Sequence, residues 1–169
     1  AGLRLQAMAV TLHQGYLPGC IGRITELHAR FYAAHTGFGV TFESKVAREL
    51  AAFCERYDGA RDGLWLALLD GQVEGAIVID GVHADTGGAH LRWFIMSDRL
   101  RGTGAGSRLL TEAMAFCDAC GYRKTYLWTF DGLAAARHLY EKHGFRLVQQ
   151  QPGRQWGSEV LEQRFERNR

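Results

Sequence analysis

The chain has 169 residues, 47% of them apolar and 22% charged, with only two prolines, a composition that suits one packed domain and excludes a disordered chain. A net charge of +2 is too small to call for nucleic acid or an anionic membrane, and no stretch approaches the roughly 18 to 20 apolar residues of a membrane span. The four cysteines, Cys20, Cys54, Cys117 and Cys120, form no disulfide scaffold, which fits a reducing cytoplasm.

Taken in order, residues 3–14 read as a first strand with β-branched Val10 and Thr11 near its end, closed by Gly15. Pro18-Gly19 marks a turn, after which Ile24, Leu27, Phe31 and Ala34 give one helical face that Gly37 ends. Phe42, Val46, Leu50 and Phe53 form the buried side of a second helix. The segments LWLALLD and QVEGAIVID, joined at Asp70-Gly71, predict a tight hairpin over residues 64–80. A looser connection over residues 83–88 leads into a strand in which Leu91, Trp93 and Ile95 alternate with Arg92, Phe94 and Met96.

That strand runs into Arg101-Gly102-Thr103-Gly104-Ala105-Gly106-Ser107, and Leu109, Leu110, Ala113, Met114 and Cys117 then recur at helical spacing. Glycines at every second position let the backbone approach a ligand, and the first turn of a helix leaves its N–H groups unpaired beside the positive end of the dipole. The junction is therefore a candidate cradle for a diphosphate, with Arg99, Arg101 and Arg108 nearby. It is not a P-loop, because Gly106 is followed by Ser107-Arg108 instead of Lys-Ser/Thr. Nor is it a dinucleotide fingerprint, since the last glycine position falls on Ser107 or Leu109. Cys117 and Cys120 make a C-x-x-C, but with no second ligand pair they read as core positions of this helix, and no metal is expected.

Gly121 caps the helix, residues 124–129 form another strand, and Leu133, Ala136, Leu139 and Tyr140 mark a helix ending at His143-Gly144. Two further strands, over 145–150 and 160–167, are separated by a loop at Pro152-Gly153. The whole reads as one α/β domain with a mixed sheet.

Two segments, in this order, carry a resemblance. Arg101-x-x-Gly104-x-Gly106 resembles the Q/R-x-x-G-x-G/A pyrophosphate loop of the GNAT family of N-acetyltransferases, and Leu139-Tyr140-Glu141-Lys142-His143-Gly144-Phe145 resembles its L-Y-E-K-x-G-F segment. From Gly19 onward the chain is also similar to the acetyltransferase half of fused MarR-type regulators, in His28, Tyr32, Phe42-Glu43, Leu127-Trp128-Thr129 and Trp156-Gly157. The resemblance implies a single acetyltransferase domain over residues 1–169, with a mixed, mostly antiparallel sheet of about seven strands, splayed between the fourth and fifth, and about four flanking helices. It implies acetyl-CoA as cosubstrate, with the main chain of Phe94, Ile95 and Met96 holding the pantetheine arm and Arg101 to Ser107 (Arg101, Gly102, Thr103, Gly104, Ala105, Gly106, Ser107) holding the diphosphate. Tyr140 aligns with the tyrosine beside the thioester sulfur, while the position of the family's pantetheine-contacting Asn is Leu133. The start at Ala1 fits a trimmed chain or a domain excised from a MarR-type fusion, and the resemblance leaves room for a homodimer.

Direct attack of an amine on a thioester needs a neutral amine and a proton for the departing sulfur. A lysine-like amine, with a pKa of about 10.4, needs more help from a base than an α-amino group of about 8. The phenol of Tyr140 is the natural acid. Glu43 is the candidate base, with Glu26, Glu74, His28 and His90 as rivals, and His28 and Tyr32, four apart on one helix, frame the acceptor slot. The expected acceptor is a small-molecule or peptide amine, and the competing class is a domain that senses acyl-CoA without turning it over.

Overall fold

In the computed structural model, which describes residues 9–169, Asp70 and Gly71 both take positive φ, 52° and 74°, as a tight reversed turn demands. The turn folds β2 (Gly63–Leu69) against β3 (Gln72–Asp80), the hairpin the sequence predicts. β1 (Thr11–Gln14) flanks β2 on the outer edge, while residues 3–8 of the predicted first strand lie outside the described part. β4 (Ala89–Met96), β5 (Lys124–Phe130), β6 (Arg146–Gly153) and β7 (Val160–Asn168) complete a seven-stranded sheet in the order β1-β2-β3-β4-β5-β7-β6.

Every neighbouring pair is antiparallel except β4 and β5, which run parallel and meet only at Ala89–Thr125 and His90–Tyr126. Beyond those two pairs the strands diverge, as expected, and the edge of β4 that faces β5 is left open along Phe94, Ile95 and Met96.

α1 (Cys20–Thr36) and α2 (Val40–Glu55) cover one face, and α4 (Ala105–Ala119) and α5 (Ala134–Lys142) the other. On the first face Ile24, Leu27, Leu50 and Phe53 pack on Leu64, Leu66 and Val78. On the second, Leu109, Leu110, Ala113 and Cys117 pack on Trp65, Ile77, Ile79 and Leu127. Cys117 is therefore a core side chain, as its helical spacing suggests. A one-turn α3 (Ala84–Gly87) occupies the predicted loose connection.

Two expectations need correction. α1 follows the Pro18-Gly19 turn at Cys20, but it buries Ile24, Leu27 and His28 with half-buried Tyr32, while Phe31 and Ala34 face solvent. The buried stripe is thus rotated toward the two polar rings. β6 also runs through Pro152-Gly153, which the sequence suggests is a loop. As the outermost strand on its side of the sheet, β6 tolerates a residue without an N–H.

Candidate functional site

The central strand carries a bulge. Ala76 and Val78 of β3 pair with Ile95 and Arg92 of β4, so Ile77 alone opposes both Trp93 and Phe94. Trp93 takes φ 46°, a conformation costly for a bulky residue. The extra residue reverses the alternation of the strand. Leu91 packs on the α4 side, Trp93 and Ile95 on the α1 and α2 side, and Phe94 and Met96 on the α4 side again. A regular strand would have kept Leu91 with Trp93 and Ile95. The bulge sits where β4 leaves β5.

A cavity of about 270 Å³ opens in this splay. α5 brings Tyr140 to it, α1 brings His28 and Tyr32, α2 brings Lys45 and Glu49, β4 brings His90, Arg92, Trp93 and Phe94, and Phe130 and Trp156 close the far wall. Tyr140 is buried, with ring centroids 5.8 Å from Phe94, 6.0 Å from Phe145 and 6.2 Å from Phe165. Burial, aided by the nearby phenol of Tyr32, raises its pKa well above the ordinary phenol value, and burial pushes Tyr32 up to about 12. Both phenols stay protonated at neutral pH.

His28 is buried, and its Nδ1 lies 2.8 Å from the Ile24 carbonyl oxygen, which fixes the hydrogen on Nδ1 and makes Nε2 an acceptor. Burial lowers its pKa to about 4 against that hydrogen bond. His90 stacks on Tyr126 at 4.5 Å, and burial together with Arg92 lowers it to about 3. Both imidazoles are neutral in the fold, whereas the unfolded chain takes up protons as pH falls through about 6.5. Stability is therefore complete above that value and declines as pH falls toward about 4, by up to about 1.4 kcal/mol per unit for each histidine. Thermal melts at about pH 7 and about pH 5 should show a lower Tm in acid, and His28→Gln should flatten that fall.

A row of charges lies along the rim. Lys45 Nζ donates to Glu49 Oε1 at 2.7 Å, and Arg92 donates to Glu49 Oε2 at 3.0 Å and to Asp80 at 3.1 Å. Arg56 donates to both carboxylate oxygens of Asp80, at 2.7 and 3.1 Å. Burial alone would raise the Asp80 carboxyl; the guanidinium groups of Arg56 and Arg92 overcome it and hold the group below the usual carboxylate range. The Arg92 guanidinium carbon lies 4.1 Å from the centre of the Trp93 ring, which fixes it over that face.

The glycine loop stands at the other end of β4. Gly102 and Gly104 have φ of 75° and 76°, and Gly104 caps α4. Among the described residues the N–H groups of Gly102, Gly104, Gly106 and Ser107 donate to no protein acceptor, while that of Ala105 meets the Thr103 hydroxyl oxygen at 3.3 Å. A Cβ on Gly106 would stand 2.7 Å from Met96 Cε and 3.1 Å from a Leu139 methyl, so a glycine lets α4 close on β4 and α5. His143 joins the two motifs: its Nδ1 is 2.9 Å from the Leu139 carbonyl oxygen, and its Nε2 is 3.4 Å from the hydroxyls of Ser107 and Thr111.

The nearby arginines are less available than the sequence suggests. Arg99 is turned to Glu74 and Asp70, and Arg108 donates to the Val10 carbonyl at 2.9 Å. Arg101 is largely exposed, paired with exposed Asp98 at 2.8 Å, and free to swing.

The candidate base is placed elsewhere. Glu43 is exposed in the first turn of α2 and borders the outer groove between α1 and α2, with Glu26 beside it. Glu74 is buried between Arg23 and Arg99, away from the cavity. The carboxylate that does line the cavity is Glu49, one helical turn beyond Lys45; its i, i+4 spacing from a lysine reads in the sequence as a solvated helix face. Leu133 caps α5 and packs with Phe38, Phe42 and Phe130, so this position supplies no polar side chain.

The acetyltransferase (GNAT) family model matches residues 23–145. Among solved structures, a Salmonella typhimurium protein, YncA, determined with its cofactor acetyl-CoA, is 18% identical with a TM-score of 0.75, covering 95% of this chain and 94% of that one. A GNAT-family acetyltransferase from Streptococcus pneumoniae is 20% identical, with a TM-score of 0.70 over 95% of this chain and 99% of that one. Another, from Elizabethkingia anophelis with acetyl-CoA bound, is 15% identical, with a TM-score of 0.61 over 95% and 98% of the two chains. At these identities the likeness speaks for the fold alone. A search of curated proteins returns no match, and nothing in these comparisons supports a MarR-type fusion. With the family model spanning most of the chain, including both the glycine loop and Tyr140, the protein belongs to the acetyltransferase (GNAT) family.

Proposed function

We propose that the protein is an N-acetyltransferase that moves an acetyl group from acetyl-CoA directly to a primary amine. The observation that carries this reading is the cavity in the β4–β5 splay, where Tyr140 packs against Phe94 on the open lip of the strand that ends at the glycine loop. Those features fit an acyl-CoA. Four undirected N–H groups at a helix start suit a diphosphate, and a free strand edge suits an amide-bearing arm. When bound, acetyl-CoA supplies the thioester carbonyl that the amine attacks.

The chain's own groups then divide the work. The N–H groups of Gly102, Gly104, Gly106 and Ser107 hold the diphosphate, with Arg101 swinging in from solvent. The backbone of Phe94, Ile95 and Met96 orients the arm along β4. His28 Nε2 accepts a hydrogen bond from the incoming amine and takes the proton its nitrogen sheds as the C–N bond forms; the Tyr140 phenol gives its proton to the sulfur as the C–S bond breaks, and His28 and Tyr140 then return to their resting protonation by exchange with solvent. Thr129, the aliphatic hydroxyl that lines the cavity, has no hydrogen-bonded base among the described residues, which favours direct transfer over a covalent acyl-enzyme.

The test is release of free thiol from acetyl-CoA across a library of amines. Turnover with at least one amine class is expected. Tight acetyl-CoA binding with no thiol released by any amine would overturn the catalytic reading and assign an acyl-CoA sensor.

A further inference from the structure

The charged groups at the acceptor end of the cavity are unevenly satisfied, and the imbalance has a sign. Three formally charged side chains line it: Lys45, Arg92 and Glu49. Glu49, the acid among them, has both oxygens engaged, Oε1 by Lys45 and Oε2 by Arg92. The two cations are not exhausted. An ammonium carries three N–H donors and a guanidinium five, and Lys45 spends one on Glu49 while Arg92 spends two, on Glu49 and Asp80. The lining therefore carries one net positive charge with donors still to give, and each oxygen of its carboxylate already lies against a cation. His90, on the same rim, feels this surplus: beyond its burial, Arg92, Arg164 and Lys45 all oppose its protonation and Asp80 alone favours it.

Most of the rest of the cavity is apolar and aromatic. Trp156 and Phe130 lie with ring centroids 5.3 Å apart on one side, and Tyr32 and Phe42 5.1 Å apart on another. Among the polar groups that face them, with Thr129 and Gln155, is the buried His28, whose Nε2 can accept but not donate. An acceptor that fits would therefore present an amine N–H at one end, an apolar body in the middle and an anionic group at the other.

We infer that the acceptor is an amine that also carries a carboxylate on an apolar or aromatic body, an α-amino acid or close analogue, with its acid group on Lys45 and Arg92. This rests on the acetyltransferase reading above and narrows it. A polyamine would bring a second ammonium to a rim of surplus positive charge, and a protein lysine would bring no acid group to use the spare donors.

The experiment compares kcat/KM, referred to the free-amine fraction, for pairs of the same skeleton with and without the acid: phenylalanine against phenylethylamine, tryptophan against tryptamine, with spermidine as the dication. The acid-bearing member of each pair should be favoured by about tenfold or more. Lys45→Gln removes a half-exposed cation whose one ion-pair partner among the described residues is Glu49, so the fold should survive. It should raise KM for the amino acid by about tenfold, with KM for the matching amine unmoved. Equal or better turnover of the acid-free amines or spermidine, or a Lys45→Gln variant with unchanged KM for the amino acid, would overturn the inference while leaving the acetyltransferase standing. Absence of turnover with every amine would remove both.

Discussion

Tyr140→Phe is expected to lower kcat for acetyl transfer by about 10²-fold or more and to leave the melting temperature where it is. The ring is held by Phe94, Phe145 and Phe165, and phenylalanine keeps every one of those contacts. The hydroxyl donates to no protein group among the described residues, so its removal strands no buried partner. On the proposed mechanism what is lost is the proton offered to the sulfur, an interaction made only as the bond breaks, so kcat and kcat/KM should fall together. Burial raises the phenol, and the same dry surroundings raise any thiol facing it, so donor and acceptor move in the same direction. A raised acid also stays protonated in alkali, so the wild-type rate should show no descending limb from Tyr140 up to about pH 10. A variant that melts early yet turns over normally would reduce Tyr140 to a packing residue.

Gly104→Val should raise the dissociation constant for coenzyme A by about tenfold or more. Gly104 caps α4 at φ 76° with open space around its missing Cβ. A β-branched residue there has no protein atom within 4 Å of its Cβ, but it must hold a left-handed conformation at a cost of about 1–2 kcal/mol, which disturbs the turn that presents the donors of the loop. The strain alone lowers Tm by a few degrees. Gly121, at the opposite end of the same helix, has φ 74° and equally open space, so Gly121→Val separates the two effects. It should melt as early as Gly104→Val and bind coenzyme A, measured by calorimetry, like the parent. Equal binding by both variants would show that the loop is not where the diphosphate rests.

The elements whose outlines were plain in the sequence are those with one local cause. The α2 stripe of Phe42, Val46, Leu50 and Phe53 and the α4 stripe from Leu109 to Cys117 are buried as their spacing implies, and Asp70-Gly71 makes the turn its residues favour. The positions of the glycine loop at the start of α4 and of Tyr140 near the end of α5 were legible because backbone freedom at a helix start and a motif at a helix exit are local signals. Features set by distant partners were not. The bulge at Trp93 depends on the register with Ile77 and reverses the phase of β4, so simple alternation put Leu91 and Trp93 on one face when they occupy two. α1 turns His28 and Tyr32 inward because Ile24 and Leu27 dock on α2 and the sheet, and period alone favoured Phe31 and Ala34. Glu49 was invisible beside Lys45 as an ordinary helical ion pair, and Glu43 drew attention by position though it faces the outer groove.

Two residue pairs tie β1–β4 to β5–β7–β6 through the backbone, and side-chain packing does the rest. The sheet is in effect a book with a short spine, and its pages part over the reaction chamber. A guest laid along β4 would act as a clasp across that seam. Occupancy along β4 would then be coupled to the cohesion of the two leaves, and the protein should be pried apart more readily without a guest than with one.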